Sequence, residues 1–464
     1  MRKLIRPALP LAAALVLVLP ASGAQGPGFT GPTTLPGSDG GTEPSLAISN
    51  GGVRYASWQS PGEFASSPDG VRFTNLGSPD SSALGDVSNA VDAAGALYNT
   101  QICGGATALH TCLYRSLDGG KTWPLKTLVA DVNPGASDRP WIDVYPKQAS
   151  GSWNPDLTTV YLEYHTFSPD DLAYVTVSHD GGRTFSPPHV ITTDTNAISG
   201  SGCNYSQIGP FDKAWVSVSA DGGTTWTSHL AWQGAVDPVT KIGDNADKIF
   251  GTVSTDQAGQ VHVLLPVRTN DDPVGFTTQC ETSSSCQESP QPTNLLFITS
   301  PDAGGHWTAP FRVNATTGSY FFPWIAAGSS GSVDAVYYRT DSLRPNDPTD
   351  RWFIGFSQIT GATASVAGGS AAYTATPTVT SRLLDPNAVH VGGICTFGIF
   401  CSAVPNANRN LADSIAIALD PGGGANATWT NDAGATTRID FACQSSGPSA
   451  YAGLKALKGC YVAR

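Results

Sequence analysis

Charge is scarce in this sequence: 13% of 464 residues are Asp, Glu, Lys or Arg, and the net charge of −12 is spread without acidic or basic runs. A nucleic-acid partner would call for clustered Lys and Arg, so that class is excluded, and the excess of acid serves solubility. Beyond the first 24 residues no apolar stretch is long enough to span a bilayer. The GxSxG elbow, the HExxH zinc motif, the phosphate loop and the dinucleotide fingerprint are all missing, which leaves serine hydrolase, metalloprotease and nucleotide chemistry without a basis. Zinc-ligand spacing is missing too, since no CxxC pair stands near a His. No segment of note after the N-terminus carries a helical period, so strands and turns must supply the fold.

What is abundant agrees with that. Gly 51 and Pro 34 suit short strands joined by many turns, and 40% hydrophobic residues is ample for a large core. Residues 1–24 have the layout of a secretory signal: Arg2, Lys3 and Arg6, then the apolar run Ala8 to Leu19, then Ser22-Gly23-Ala24, with cleavage expected after Ala24. No cysteine follows to carry a lipid, so a secreted, soluble, monomeric protein is expected. Export permits disulfides, and short spacings single out Cys103 with Cys112, Cys280 with Cys286, and Cys395 with Cys401. Pairing Cys443 with Cys460 then leaves Cys203 over.

Two phrases recur. The first is Ser116-Leu117-Asp118-Gly119-Gly120-Lys121-Thr122-Trp123, repeated at Ser178 to Phe185, Ser219 to Trp226 and Ser300 to Trp307, with a shorter form at Ser67 to Phe73. Ser and Asp can bond the turn's own amides, glycines supply positive φ, and the aromatic returns to an apolar contact. The second is a short apolar strand, a turn and an alternating strand, as in Glu43 to Trp58 and Asp86 to Thr100, with further starts near Arg139, Phe250, Phe322 and Ser414. Together they make a four-stranded antiparallel meander of about 40 to 50 residues, the size of a propeller blade. Seven units can be counted. The one around Cys203 to Trp232 is abbreviated, and six is the count if it does not close as a blade. Thr360 to Thr380, rich in Ala, Thr and Gly, reads as an inserted loop or irregular strand.

The turn Ser-x-Asp-x-Gly-x-x-Trp is the Asp box of the BNR (bacterial neuraminidase) repeat, and on it the chain resembles the sialidase-like β-propeller superfamily over nearly all of residues 43–464. The resemblance implies an all-β, six- or seven-bladed propeller of four-stranded antiparallel blades, preceded by a Gly/Pro-rich lead at 25–42. It also implies that Asp69, Asp118, Asp180, Asp221 and Asp302 are structural and lie on the face opposite the active one. That moves any site to the starts of the innermost strands and the ends of the second strands. Glu43, Asp86, Asp138, Arg139, Asp247, Lys248, Arg409 and Asp413 belong to the first group, and His165, Arg268, Tyr338, Arg339 and Asp341 to the second.

A sialidase of retaining type needs an arginine triad for the substrate carboxylate, a carboxylic acid, and a Tyr activated by a Glu. By that resemblance Arg139, Arg268 and Arg339 are the triad candidates, Asp138 the acid, and Tyr338 with Glu163 the nucleophile pair. The family's N-terminal Phe/Tyr-Arg-Ile-Pro motif is absent, an acid standing in its place in Glu43-Pro44-Ser45-Leu46. The expectation is therefore an extracellular glycan- or protein-binding module without assigned catalysis, with an exo-acting glycoside hydrolase of sialidase type as the alternative. The carboxylates Glu43, Asp86, Asp138, Asp247 and Asp413 are also candidate calcium ligands. Trp58, Trp141, Trp153, Trp232, Trp324 and Trp352 lie outside the boxes, available either for packing or for stacking on sugar faces.

Overall fold

The computed structural model describes residues 26–59, 62–104, 109–129, 137–149, 151–166, 172–191, 211–240, 242–246, 250–271, 290–345, 347–396, 401 and 408–463. The expected signal segment, Cys203, Cys280, Cys286, Asp247 and Lys248 lie outside them.

Strand follows strand in antiparallel order, and the result is a six-bladed β-propeller with four strands to a blade. Blade I runs Thr42–Ile48, Arg54–Gln59, Glu63–Ser67 and Thr74–Gly77, from the innermost strand outward. Blade II repeats this with Gly85–Val91, Leu97–Cys103, His110–Ser116 and Leu125–Leu128, and blade III with Ser137–Tyr145, Thr159–Thr166, Ala173–Ser178 and His189–Val190. In blade IV the innermost strand is in two pieces, Gly243–Asn245 and Thr252–Thr255, both paired to Val261–Asp271, followed by Thr293–Ser300 and Phe311–Arg312. Blade V is Ser319–Ala327, Val333–Thr340, Arg351–Thr360 and Thr378–Leu383. Blade VI has Ala416–Leu419, Ala425–Asn431 and Arg438–Gly447, and its outer edge is completed from the N-terminal lead by Gly28–Phe29 and Thr33–Thr34. The two ends of the chain thus close the ring together.

The abbreviated unit does not form a blade among the described residues. Lys213–Val218 and Thr227–Gln233 make a two-stranded hairpin wedged between blades III and IV. A Cβ added at Gly223 would stand 2.6 Å from Val177 of blade III, while Ala231 and Trp232 pack on Val263, Leu265 and Ile298 of blade IV. Six is the blade count. The inserted stretch of blade V is a second small hairpin, Ala364–Ala367 with Ser370–Tyr373, braced on blade IV by the Tyr373 hydroxyl donating to the Phe297 carbonyl (3.2 Å).

Apolar side chains are buried between neighbouring blades. Trp352, Trp429, Phe356 and Phe322 fill the space between V and VI, Leu113, Val160, Leu162 and Tyr164 that between II and III, and Trp58, Leu46, Ile439 and Phe441 that between VI and I. The second strand of blade II, Leu97–Cys103, is buried along its whole length, and its polar centre, Asn99, Thr100 and Gln101, is hydrogen-bonded to Asn89, to the Cys112 carbonyl and within itself. Cys103–Cys112 and Cys395–Cys401 form as their short spacings indicate, and Cys443 pairs with Cys460, with Cα separations of 5.9, 6.1 and 5.8 Å.

The Ser-x-Asp turns join third to fourth strands in blades I to IV, and the one at Asp221 joins the two strands of the extra hairpin. In blade II the Ser116 hydroxyl donates to Asp118 Oδ1 (2.7 Å) and accepts the Gly120 amide (2.8 Å), and Asp118 accepts the Thr122 amide (2.9 Å) and hydroxyl (2.7 Å). Gly119 and Gly120 take φ of 74° and 88°. The same net forms around Asp180, Asp221 and Asp302, and in shorter form at Asp69. At Asp302 the first left-handed position is Ala303, at φ 55°. A second family of Asp turns joins first to second strands. Asp92 accepts the amides of Ala94 and Ala96, Asp256 those of Ala258 and Gln260, and Asp420 those of Gly422 and Gly424. The antiparallel order puts both kinds of turn at one end of the barrel of blades. The starts of the innermost strands are at the other.

Candidate ligand site at the channel mouth

Four of the six innermost strands begin with the same irregularity. Pairing to the second strand slips between Thr42 and Ser45 in blade I, Gly85 and Ser88 in blade II, Asp138 and Trp141 in blade III, and Phe321 and Trp324 in blade V. At each slip one non-glycine residue has a positive φ: Glu43 at 49°, Asp86 at 51°, Arg139 at 47° and Phe322 at 52°, with Ala412 at 54° just ahead of the innermost strand of blade VI. Side chains rarely take this conformation without compensation, and such residues gather where function needs them. In blades I, III and V a proline follows (Pro44, Pro140, Pro323). These bulges deliver Glu43, Asp86 and Arg139 to one small cavity at the mouth of the central channel, with Val87, Pro140, Trp141 and Ser414 in its walls.

The charges there form a chain of contacts. Arg139 is ion-paired to Asp413 and, at 3.7 Å, to Glu43, while its guanidinium lies 5.3 Å from the centre of the Phe250 ring. Asp413, fully buried, also takes Arg409. Asp86 is hydrogen-bonded to Asp138 and accepts from Gln59 Nε2 (3.2 Å), and Asp138 is 3.2 Å from His165 Nε2. Two carboxyls in contact cannot both ionise cheaply, and the surroundings decide between them. Burial, then the charges of Asp138 and Glu43, push Asp86 well above the usual carboxylate range against the pull of Arg139. For Asp138 burial is outweighed by the hydrogen bond and charge of His165 and by Arg139, which hold it well below that range. The two carboxyls are thus pushed in opposite directions, Asp86 toward holding a proton and Asp138 toward the charged form.

An aromatic group stands beside these charges. Trp141 from blade III lies 4.9 Å from Trp324 of blade V and 6.2 Å from Phe250, which precedes the second piece of the innermost strand of blade IV. All three are half-buried. They meet across the channel axis, so the floor of the mouth is aromatic and its rim is charged. Trp58, Trp232 and Trp352 by contrast are buried between blades, and Trp153 donates to the Thr158 hydroxyl (2.9 Å) at the turn end.

The remaining sequence candidates are dispersed. Arg268 is buried in blade IV and donates to the Gln291 carbonyl (3.2 Å). Arg339 is ion-paired to Asp341. The Tyr338 hydroxyl is buried, donates to the Thr430 carbonyl (2.9 Å) and accepts the Thr430 amide (3.0 Å); burial pushes its pKa far up. Glu163 pairs with Trp141 in the blade III ladder, and burial raises its carboxyl. Thus Asp138 and Arg139 come together with Glu43, Asp86, Asp413 and Arg409, while no described contact joins Tyr338 to Glu163. Among the described residues no group of three or more His, Cys, Asp or Glu side chains is placed to hold a metal ion. Of the carboxylates named as calcium ligands, Glu43, Asp86, Asp138 and Asp413 are turned onto arginines, onto His165 and onto each other, and Asp247 lies outside the described residues. Gln59 carries no sequence signal that would have drawn it into the site, while Phe250 stands at one of the repeat starts.

No family model matches the chain, and no curated protein matches it. Among solved structures it is similar to a protein of unknown function from Dyadobacter fermentans, at 10% identity over 90% of this chain and 98% of that one, with a TM-score of 0.43. It is similar also to the α-L-arabinanase of Penicillium chrysogenum complexed with arabinobiose (11% identity, 90% and 98% covered, TM-score 0.44). A third is the α-L-arabinofuranosidase of Fusarium graminearum, a GH93 enzyme (9% identity, 90% and 97% covered, TM-score 0.42). At these values the likeness concerns the course of the chain, and no residue takes a role from it.

Proposed function

We propose that the protein is an extracellular glycan-recognising propeller whose ligand seats at the channel mouth. The observation that carries this reading is the presence of Trp141, backed by Trp324 and Phe250, in the same cavity as Glu43, Asp86 and Arg139. A sugar ring presents apolar C–H faces and polar hydroxyl edges, and a half-exposed indole beside fixed carboxyl and guanidinium groups matches both. The three disulfides fit an oxidising exterior. The experiment is secretion of residues 25–464 and titration with an oligosaccharide panel, followed by tryptophan fluorescence. Trp141→Ala should weaken binding by about tenfold or more, roughly 1.4 kcal/mol; unchanged affinity would refute the placement.

A second reading, a glycoside hydrolase, is favoured by one observation. Asp86 and Asp138 lie side by side with burial and neighbouring acids raising the first and His165 and Arg139 lowering the second, the opposite tuning that acid–base chemistry uses. The two carboxyls are in contact rather than spaced as the paired carboxylates of glycosidases are, about 5 to 9.5 Å apart, so binding leads. Turnover of fluorogenic glycosides that Asp86→Asn abolishes would reverse that order. An exo-sialidase in particular would be shown by release of sialic acid that depends on Arg139.

A further inference from the structure

The charge arrangement at the mouth bears on which sugars it can take, granted the glycan reading above. A carboxylated sugar, whether a sialic or a uronic acid, is ordinarily held by an arginine that offers both of its N–H edges to the carboxylate. The sequence places Arg139, Arg268, Arg339 and Arg409 at this end of the propeller, and each is already engaged. Arg139 is held by Asp413 and Glu43, Arg409 by the same Asp413, Arg339 by Asp341, and Arg268 is buried against the Gln291 carbonyl.

These partners are not rim groups that a ligand could brush aside. Asp413 is fully buried and Glu43 is 5% exposed. To dock on Arg139, an incoming carboxylate would have to leave Glu43 buried without its counter-charge or crowd Asp413, which keeps Arg409, and a buried charge left unpaired costs far more than an exposed pair returns. It would also approach Glu43, Asp86, Asp138 and Asp413 with Arg139 and Arg409 as the counter-charges, so the field it meets is repulsive even with one proton shared between Asp86 and Asp138. The floor of Trp141, Trp324 and Phe250 demands no charge of its ligand.

We infer that the channel mouth accepts sugars that lack a carboxylate and rejects acidic ones, with Glu43 and Asp413 acting as built-in occupants of the arginine that an acidic sugar would need. The ligand class is a neutral glycan end whose hydroxyls hydrogen-bond the carboxyl rim while one ring face lies on the aromatic floor. Selectivity comes from negative charge placed around Arg139, so removing that charge should change preference rather than simply lower affinity.

The test is a titration of the secreted protein with matched oligosaccharides, lactose against sialyl-lactose and xylobiose against its glucuronic-acid counterpart, followed by calorimetry and tryptophan fluorescence. The expected result is binding of at least one neutral member with its acidic partner weaker by about tenfold or more. In Glu43→Gln the gap should narrow or reverse, and in Asp413→Asn, where Arg139 and Arg409 both lose their shared partner, it should reverse if the variant folds. Acidic members binding as tightly as neutral ones, or alone, would overturn the inference and leave the glycan reading standing. A gap unchanged in a folded Glu43→Gln variant would overturn the assigned role of Glu43. No response to any member, with the fold intact by circular dichroism, would refute the glycan reading and this inference with it.

Discussion

Tyr338→Phe separates a structural tyrosine from a nucleophile. In blade VI the ladder between Ala416–Leu419 and Ala425–Asn431 ends at the pair Ala416 and Thr428. Thr430, two residues on, has its amide and carbonyl satisfied from the next blade by the Tyr338 hydroxyl, at 3.0 and 2.9 Å, and its own hydroxyl accepts the Glu43 amide at 3.2 Å. One phenol thus ties blade V to a strand that in turn touches blade I. Removing the oxygen leaves a buried N–H and a buried C=O without that partner, and each orphan costs about 1 to 3 kcal/mol. Because the lost oxygen also leaves a small void, the expected loss is about 2 to 4 kcal/mol, a lower midpoint in urea with the slope unchanged. Glycan binding at the mouth, measured below the transition, should stay within about threefold of the parent. A midpoint that does not move would refute this account of Tyr338. Loss of a glycosidase activity at full stability would restore it as a nucleophile.

Asp334 is fully buried, accepts one hydrogen bond from Gln358 Nε2 (3.1 Å), and is pushed by burial up to about 7. Its folded pKa lies above the unfolded value, so its contribution to stability is fullest below about pH 4 and is lost as pH rises toward 7. Asp334→Asn should flatten that slope and stabilise the fold above neutrality by a few kcal/mol at most, since each tenfold change in proton affinity corresponds to about 1.4 kcal/mol; urea midpoints at pH 5 and pH 8 check it. Asp118→Ala should lower the melting temperature and leave mouth binding intact, since its bonds are to Ser116 and Thr122 at the turn end; binding lost at unchanged stability would refute the division between the two ends. Ala303→Gly should raise stability by about 0.5 to 1 kcal/mol, because Ala303 occupies at φ 55° a place where Gly119 sits in the equivalent turn at 74°.

The fold was legible because its signals are local. Ser116, Asp118 and the following glycines close a turn by bonding to atoms within five residues, so the chain advertises every such turn without help from its partners. The same holds for Cys103 and Cys112, nine residues apart on adjoining strands. Blade closure is different: Gly28–Phe29 reaches Arg438–Gly447 across the whole chain, and nothing in a Gly/Pro-rich lead announces that pairing.

The site depends on such long-range relations. The resemblance to Asp-box propellers implied that Glu43, Asp86, Asp138, Arg139, Arg409 and Asp413 share one end, since in such a propeller the alternation of strands fixes which end each strand start occupies. It did not say that Arg139 would be neutralised by Glu43 from blade I and by Asp413 from the far end of the chain, that Asp86 would lean on Asp138, or that Trp141, Phe250 and Trp324 would meet on the axis. Periodicity decides which strand and which end. Which carboxylate faces which guanidinium depends on left-handed bulges at Glu43, Asp86 and Arg139, which only the closed ring of blades holds in place.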